Sequence, residues 1–270
     1  SSDVCSSDLT SVIAFILIGC ATSSLGRKQL MLMPEAEMDA MGGEAFKQLK
    51  EKTPIEDDSR TNRYVKCIAD AILEVSESRI PQNDWEVVVF RDETANAFAL
   101  PGGKIGVHTG LLKIANSPDQ LAAVIGHEIA HVRENHSNER VSQTTFLEQG
   151  LGLVQALANP QSPLGQQLMQ LLGLGAQFGI TLPYSRKHET EADQVGLFLM
   201  AKAGFDPRES VKLWENMGQG GGEAPPEFFS THPSHVTRIN QLNAELNRAM
   251  PLYQEAKASG KDPNCRMRQQ

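Results

Sequence analysis

The chain has 270 residues, a net charge of −8 at pH 7, 40% hydrophobic and 21% charged residues. That is enough apolar material for one large domain or two small ones, and it excludes a disordered or collagen-like chain. The acidic balance leaves no basic footprint, so no nucleic-acid partner is expected.

No Lys or Arg precedes Arg27, so Ser1 to Leu9 lacks the basic start of a secretory signal. Val12 to Ile18 is a short apolar run that leads into Leu17-Ile18-Gly19-Cys20. Leu-x-Gly-Cys at that place resembles a bacterial lipobox, and cleavage there would let the Cys20 thiol carry diacylglycerol. Ala21, rather than Asp, after the cysteine resembles an outer-membrane address. The run is too short for a comfortable membrane span, and a buried strand or a degraded tail is the alternative. Of the other cysteines, Cys5 would be lost, and Cys67 and Cys265 would be left to pair or not in an oxidising compartment.

Helices are predicted over Met33 to Lys52 and Asp58 to Ser78. Trp85 to Phe90 (WEVVVF) is β-branched and apolar, a strand pattern. Asn96 to Leu100 and Lys104 to His108 read as two further strands around Pro101-Gly102-Gly103, and Thr109 to Ala115 as a short helix. Pro118 to Asn135 is a helix with Ser117 as N-cap, Pro118 at N1 and Asp119 complementing the dipole. Gln149 to Ser185 holds no charged residue. It reads as a buried helical hairpin, with a membrane-apposed or substrate-facing flap as the alternative. Arg186 to Ala203, ended by Gly204, and Pro207 to Met217 are helices. A Gly/Pro linker over Gly218 to Pro226 follows, then an amphipathic helix over His235 to Ala249. The expected organisation is a signal-like segment over 1–20, a linker and helix over 21–56, a catalytic domain over 57–250 and a loose tail over 251–270.

His127-Glu128-Ile129-Ala130-His131 is an H-E-x-x-H pentad. One helical turn separates the two histidines, so both imidazoles reach a single zinc, which favours nitrogen ligands. Glu128 beside them is placed to take a proton from a water activated by the metal. A catalytic zinc needs a third protein ligand. Ser185-Arg186-Lys187-His188-Glu189-Thr190-Glu191-Ala192-Asp193 supplies a candidate. Glu189 and Asp193, four apart, share a helical face, so Glu189 can ligate while Asp193 holds a ligand imidazole by its other nitrogen. Glu191 lies roughly 200° round the helix from Glu189 and points away from the metal. His188 lies about 100° from Glu189 and faces elsewhere. No partner is assigned to His108, His136 or His235.

These motifs resemble the gluzincin zinc metallopeptidase family that includes the CAAX prenyl proteases, HtpX, BepA and LoiP. That family carries H-E-x-x-H followed by E-x-x-A-D or E-x-E-A-D, matched here by Glu189, Glu191, Ala192 and Asp193. The resemblance implies that Glu189 is the third zinc ligand. Asn96-Ala97-Phe98-Ala99-Leu100-Pro101-Gly102-Gly103 resembles the family's stretch before the pentad, and Thr231-His232-Pro233 with Arg238 its C-terminal H-P…R element. Asn96, Ala97, Phe98 and Ala99 are then candidates for an edge strand that binds an extended substrate by main-chain pairing. Arg238 can face developing negative charge, and His232 can stabilise an oxyanion or swing in as a fourth zinc ligand and silence the site.

The expected fold is α+β, mostly helical, of the zincin type, with a small β-sheet beside the active-site helix. The expected protein is a zinc-dependent endopeptidase holding one zinc ion. It would be lipid-anchored at the periplasmic face of the outer membrane and act on misfolded or misassembled envelope proteins. No tetratricopeptide pattern is read after the catalytic region, which leans towards the short LoiP-like lipoproteins. The alternatives are an envelope chaperone or assembly factor with its zinc site held closed, and a cell-wall zinc amidase, which the E-x-E-A-D match disfavours.

Overall fold

The computed structural model describes residues 20–149, 185–219, 232 and 237–267. The signal-like segment before Cys20, the uncharged stretch from 150 to 184, most of the Gly/Pro linker, Pro233 and His235 lie outside the described residues.

A short antiparallel hairpin opens the described chain, β1 (Cys20–Thr22) against β2 (Lys28–Leu30). Two helices follow, α1 (Glu35–Lys52) and α2 (Ser59–Glu74). The sheet comprises β3 (Glu86–Phe90), β4 (Ala97–Leu100) and β5 (Lys104–His108). Its order is β3-β5-β4, with β5 parallel to β3 and antiparallel to β4. The helix carrying the pentad, α3 (Pro118–Arg133), runs into α4 (His136–Gln149). Among the described residues three further helices follow: α5 (Arg186–Lys202), α6 (Arg208–Gln219) and α7 (Thr237–Ala258).

The period-2 pattern of the strands sorts their side chains between two cores. Val89, Ala97, Ala99, Ile105 and Val107 join the main core under α2 and α3. Phe90 and Leu100 join a second core on the other face, closed by Met38, Met41, Ala45 and Phe46 of α1. Gly106 sits opposite Phe98 across the ladder, and a Cβ there would meet the Phe98 ring at 2.2 Å. The predicted Pro101-Gly102-Gly103 turn has both glycines at positive φ, 77° and 72°, a backbone region costly for other residues.

Helix α3 is buried along nearly its whole length and packs against α2, α5, α6 and β4. Its start follows the expected capping: Ser117 accepts a hydrogen bond from the Gln120 N–H, and Pro118 fills N1. The predicted short helix at 109–115 reduces to a 3₁₀ turn over Leu111–Lys113.

The C-terminal segment departs from expectation. Residues 251–258 continue α7 through Pro251, and Cys265 is buried and disulfide-bonded to Cys67 in α2. The expected loose tail is therefore fastened to the domain as far as it is described. Its anchor is covalent, which no hydrophobic pattern in 251–270 could announce. No described helix is long and apolar enough to cross a membrane.

Candidate metal centre

Helices α3 and α5 bring the two sequence motifs together. His127, His131, Glu189 and His232 offer ligand atoms that all lie within 4.8 Å of one another, and all four side chains are buried. His127 Nε2 is 3.0 Å from His131 Nε2 and 3.4 Å from Glu189 Oε2. His131 Nε2 is 3.5 Å from Glu189 Oε1. His232 Nδ1 is 3.2 Å from His127 Nε2 and 3.1 Å from Glu189 Oε1.

This donor set fits zinc. Ligands at roughly 2.0–2.1 Å in a tetrahedron stand about 3.3 Å apart, close to the separations seen here. Glu128 Oε1 and Glu189 Oε2 are buried and accept no hydrogen bond among the described residues. Buried carboxylate oxygens in that condition are costly unless a cation or water meets them. Imidazole and carboxylate are also the donor types zinc takes.

Asp193 accepts a hydrogen bond from His127 Nδ1 at 2.9 Å, as the i, i+4 spacing from Glu189 predicts. Arg238 Nη2 donates to Asp193 Oδ1 at 2.6 Å and lies 3.3 Å from Glu189 Oε2. Its guanidinium stacks 3.7 Å above the ring of Trp214 in α6. Arg238 thus braces Asp193, behind the His127 ring, and the candidate ligand Glu189. Trp214 has no motif around it, and only the packing of α6 on α7 reveals it.

Burial lowers the His127 imidazole, but Asp193 and Glu189 override it and raise it to about 9. Burial and the neighbouring His127 push His131 well below its ordinary value, despite the opposing Glu189. Burial would raise Glu189, yet the surrounding imidazoles hold it well below the usual carboxylate range. Burial raises Glu128, the direction that makes a carboxylate a better base near neutral pH.

Glu128 projects from α3 towards the sheet. Its Oε2 accepts the Ala99 N–H at 3.1 Å, and its Oε1 is 3.4 Å from His232 Nε2. Among the described residues β4 pairs with β5 alone, so β4 is an edge strand whose Ala99 N–H faces the centre. Ala97 and Ala99 turn into the main core, Phe98 is half-buried on the other face, and Asn96 is buried just before the strand.

A second polar cluster lies behind His131. Apart from Glu191, from the E-x-E-A-D element, its members carry no recognised motif. His131 Nδ1 is 3.0 Å from His136 Nδ1, and His136 Nε2 is 3.0 Å from Glu191 Oε2. Glu191 does point away from the metal, but into this buried cluster. Arg27 bonds both Glu191 and Glu139, and His188 faces Glu139 at 3.2 Å. Burial lowers His136 to about 4 and keeps it neutral. Asn135, at φ 54°, turns the chain sharply between α3 and α4 and brings His136 over His131. His108 instead meets Thr94 Oγ1 at 2.8 Å, outside both clusters. Cys20 begins β1.

A comparison with protein families matches residues 59–246 to Peptidase family M48. The chain is similar to the mitochondrial metalloendopeptidase OMA1 of Schizosaccharomyces pombe, 40% identical over 191 residues, 70% of this chain and 54% of that protein. The OMA1 protein of Arabidopsis thaliana is 34% identical over 242 residues, 87% of this chain and 47% of its own. The beta-barrel assembly-enhancing protease of Escherichia coli K12 is 25% identical over 220 residues, 78% of this chain and 44% of its own. The chain spans about half the length of these curated relatives.

Proposed function

The chain belongs to the zinc metallopeptidase family M48, and on that premise we propose that it is an endopeptidase of the cell envelope, hydrolysing peptide bonds in misfolded or misassembled envelope proteins. The observation that carries this reading is the convergence of His127, His131 and Glu189 beside a buried Glu128 and the edge of β4.

His127, His131 and Glu189 would hold the zinc, which polarises a carbonyl and lowers the pKa of water. Glu128 takes the proton of the attacking water and delivers it to the leaving amine. Asp193 fixes the His127 tautomer, and Arg238 neutralises the carboxylates behind it. An extended substrate adds to the edge of β4 along Asn96 to Ala99, exchanging the Ala99–Glu128 hydrogen bond for main-chain pairing. Glu128→Gln tests the core of the reading. It should retain stoichiometric zinc and lose hydrolysis of unfolded casein by about 10²–10⁴-fold. A zinc-loaded variant with wild-type turnover would remove Glu128 from the role of base.

The envelope assignment draws on three supports. Leu17-Ile18-Gly19-Cys20 resembles a lipobox. The Cys67–Cys265 disulfide suits an oxidising compartment. One relative is a β-barrel assembly-enhancing protease. We place the protein, as a LoiP-like lipoprotein, at the periplasmic face of the outer membrane, anchored through lipid on Cys20. Cys20→Ser should move it from the membrane to the soluble fraction; unchanged partitioning would dispose of the anchor.

A second reading is favoured by His232. Its Nδ1 stands as close to His127 and Glu189 as the ligand atoms stand to each other. A fourth protein ligand closes a zinc site. In that state the protein would serve as a chaperone or assembly factor, and His232 would have to leave before peptide bonds are cut.

A further inference from the structure

Arg27 is joined to the zinc ligand His131 by an unbroken chain of buried polar groups. The Arg27 guanidinium donates from Nε to Glu191 Oε2 at 2.7 Å, and its Nη2 lies 2.6 Å from the same oxygen. Ser23 Oγ, from the same hairpin, donates to Glu191 Oε1. His136 Nε2 meets Glu191 Oε2 at 3.0 Å, and His136 Nδ1 meets His131 Nδ1 at 3.0 Å. Glu139 holds the other side of Arg27 through a two-pronged pair at 2.6 and 2.7 Å, and also accepts from Gln29 Nε2 at 3.1 Å.

Proton placement follows from donor and acceptor rules. An ionised carboxylate only accepts, so the His136 nitrogen that meets Glu191 at 3.0 Å, Nε2, is the protonated one of the ring. Its Nδ1 is then a lone pair. His131 Nδ1 must supply the proton between the two rings, which leaves the His131 Nε2 lone pair pointing at His127 and Glu189. Asp193 does the same for His127 directly. At His131 the His136 imidazole stands 3.0 Å from Nδ1 and links it to the Glu191 carboxylate.

We propose that the N-terminal hairpin Cys20–Leu30 orients the zinc ligand His131, with Arg27 and Ser23 clamping Glu191, and Glu191 fixing His131 through His136. Arg27, Glu191 and His136 are positioning residues and touch no reacting atom. The inference rests on the zinc reading of the site. It predicts that docking of the hairpin and zinc affinity are coupled, because the hairpin supplies the cation that holds Glu191 in place.

The test uses the full chain, stripped of metal, with zinc affinity read by competition with a chromophoric chelator. Glu191→Gln and Arg27→Gln should each weaken zinc binding by about 10–100-fold, and Arg27→Lys should recover part of the loss. Nitrogen-15 histidine spectra of the metal-free wild type should show His131 protonated on Nδ1 and bare on Nε2. Glu191→Gln should give a mixture of the two tautomers. Folded variants that bind zinc as tightly as wild type would overturn the proposal. So would a wild-type His131 protonated on Nε2, a measurement that needs no variant to fold. A wild-type chain that takes up no zinc would instead overturn the reading of the centre itself.

Discussion

Gly126 and Gly196 face each other where α3 crosses α5. A Cβ on Gly196 would lie 2.7 Å from the backbone nitrogen of His127 and 2.8 Å from the carbonyl carbon of Gly126. A Cβ on Gly126 would lie 2.9 Å from the Gly196 carbonyl oxygen. This backbone-to-backbone contact lets the helix bearing Glu189 and Asp193 approach the pentad closely enough for carboxylate and imidazoles to share one ion.

Gly196→Ala should therefore act on both stability and metal. The methyl meets backbone atoms that cannot rotate aside, so α5 must move. Overpacking of this kind costs about 1–3 kcal/mol, more than the gain in helix propensity of up to roughly 1 kcal/mol. Urea melts should show the loss, and zinc titration should show weaker binding because Glu189 moves with α5. Unchanged values in both would mean the two helices slide freely at this crossing.

His232→Ala separates two roles at one position. With Nδ1 within 3.2 Å of His127 Nε2, His232 occupies the place of a fourth ligand. Its removal should open the centre and raise basal peptide turnover. An oxyanion donor would behave oppositely, and its loss would slow turnover by about 10²–10³-fold while zinc stays bound. Steady-state rates on a model peptide at matched zinc content decide between them.

Acid should weaken the hairpin. Burial pushes Glu139 up, but hydrogen bonds from His188 and Arg27 override it and hold the carboxyl at about 2, below its ordinary 4.5. A carboxyl with a depressed folded pKa contributes stability that is fully present above its unfolded value and is lost as pH falls through the folded one. Stability should therefore decline between pH 4.5 and 2. Glu139→Gln should start lower at neutral pH and show a shallower decline. Parallel denaturation curves for the two proteins across that range would argue against the ion pair.

Reduction of Cys67–Cys265 should lower stability by about 2–5 kcal/mol, since the bond closes a loop of sequence separation 198. Cys67→Ser should match reduced wild type. A melting temperature insensitive to dithiothreitol would mean that the bridge contributes nothing to the folded domain.

Legible in the sequence by itself were the candidate zinc donors His127, His131 and Glu189, the proposed base Glu128, Asp193 on the face of Glu189, and the strands that place β4 beside them. Each depends on a short-range rule: one helical turn between His127 and His131, another between Glu189 and Asp193, and alternation along Ala97–Leu100. Capping chemistry at Ser117 and Pro118 was legible for the same reason. Tertiary structure decided what stands behind His131. His136 lies beyond the end of α3, Glu191 is on the far side of α5, and Arg27 comes from a hairpin 164 residues before Glu191. Local periodicity marks Glu191 as facing away from the metal and says nothing of what it faces. The fastening of Cys265 to Cys67 is of the same kind. Partners so distant in sequence are joined only when the helices pack, because burial then requires every carboxylate and imidazole to find an opposite charge or a hydrogen bond.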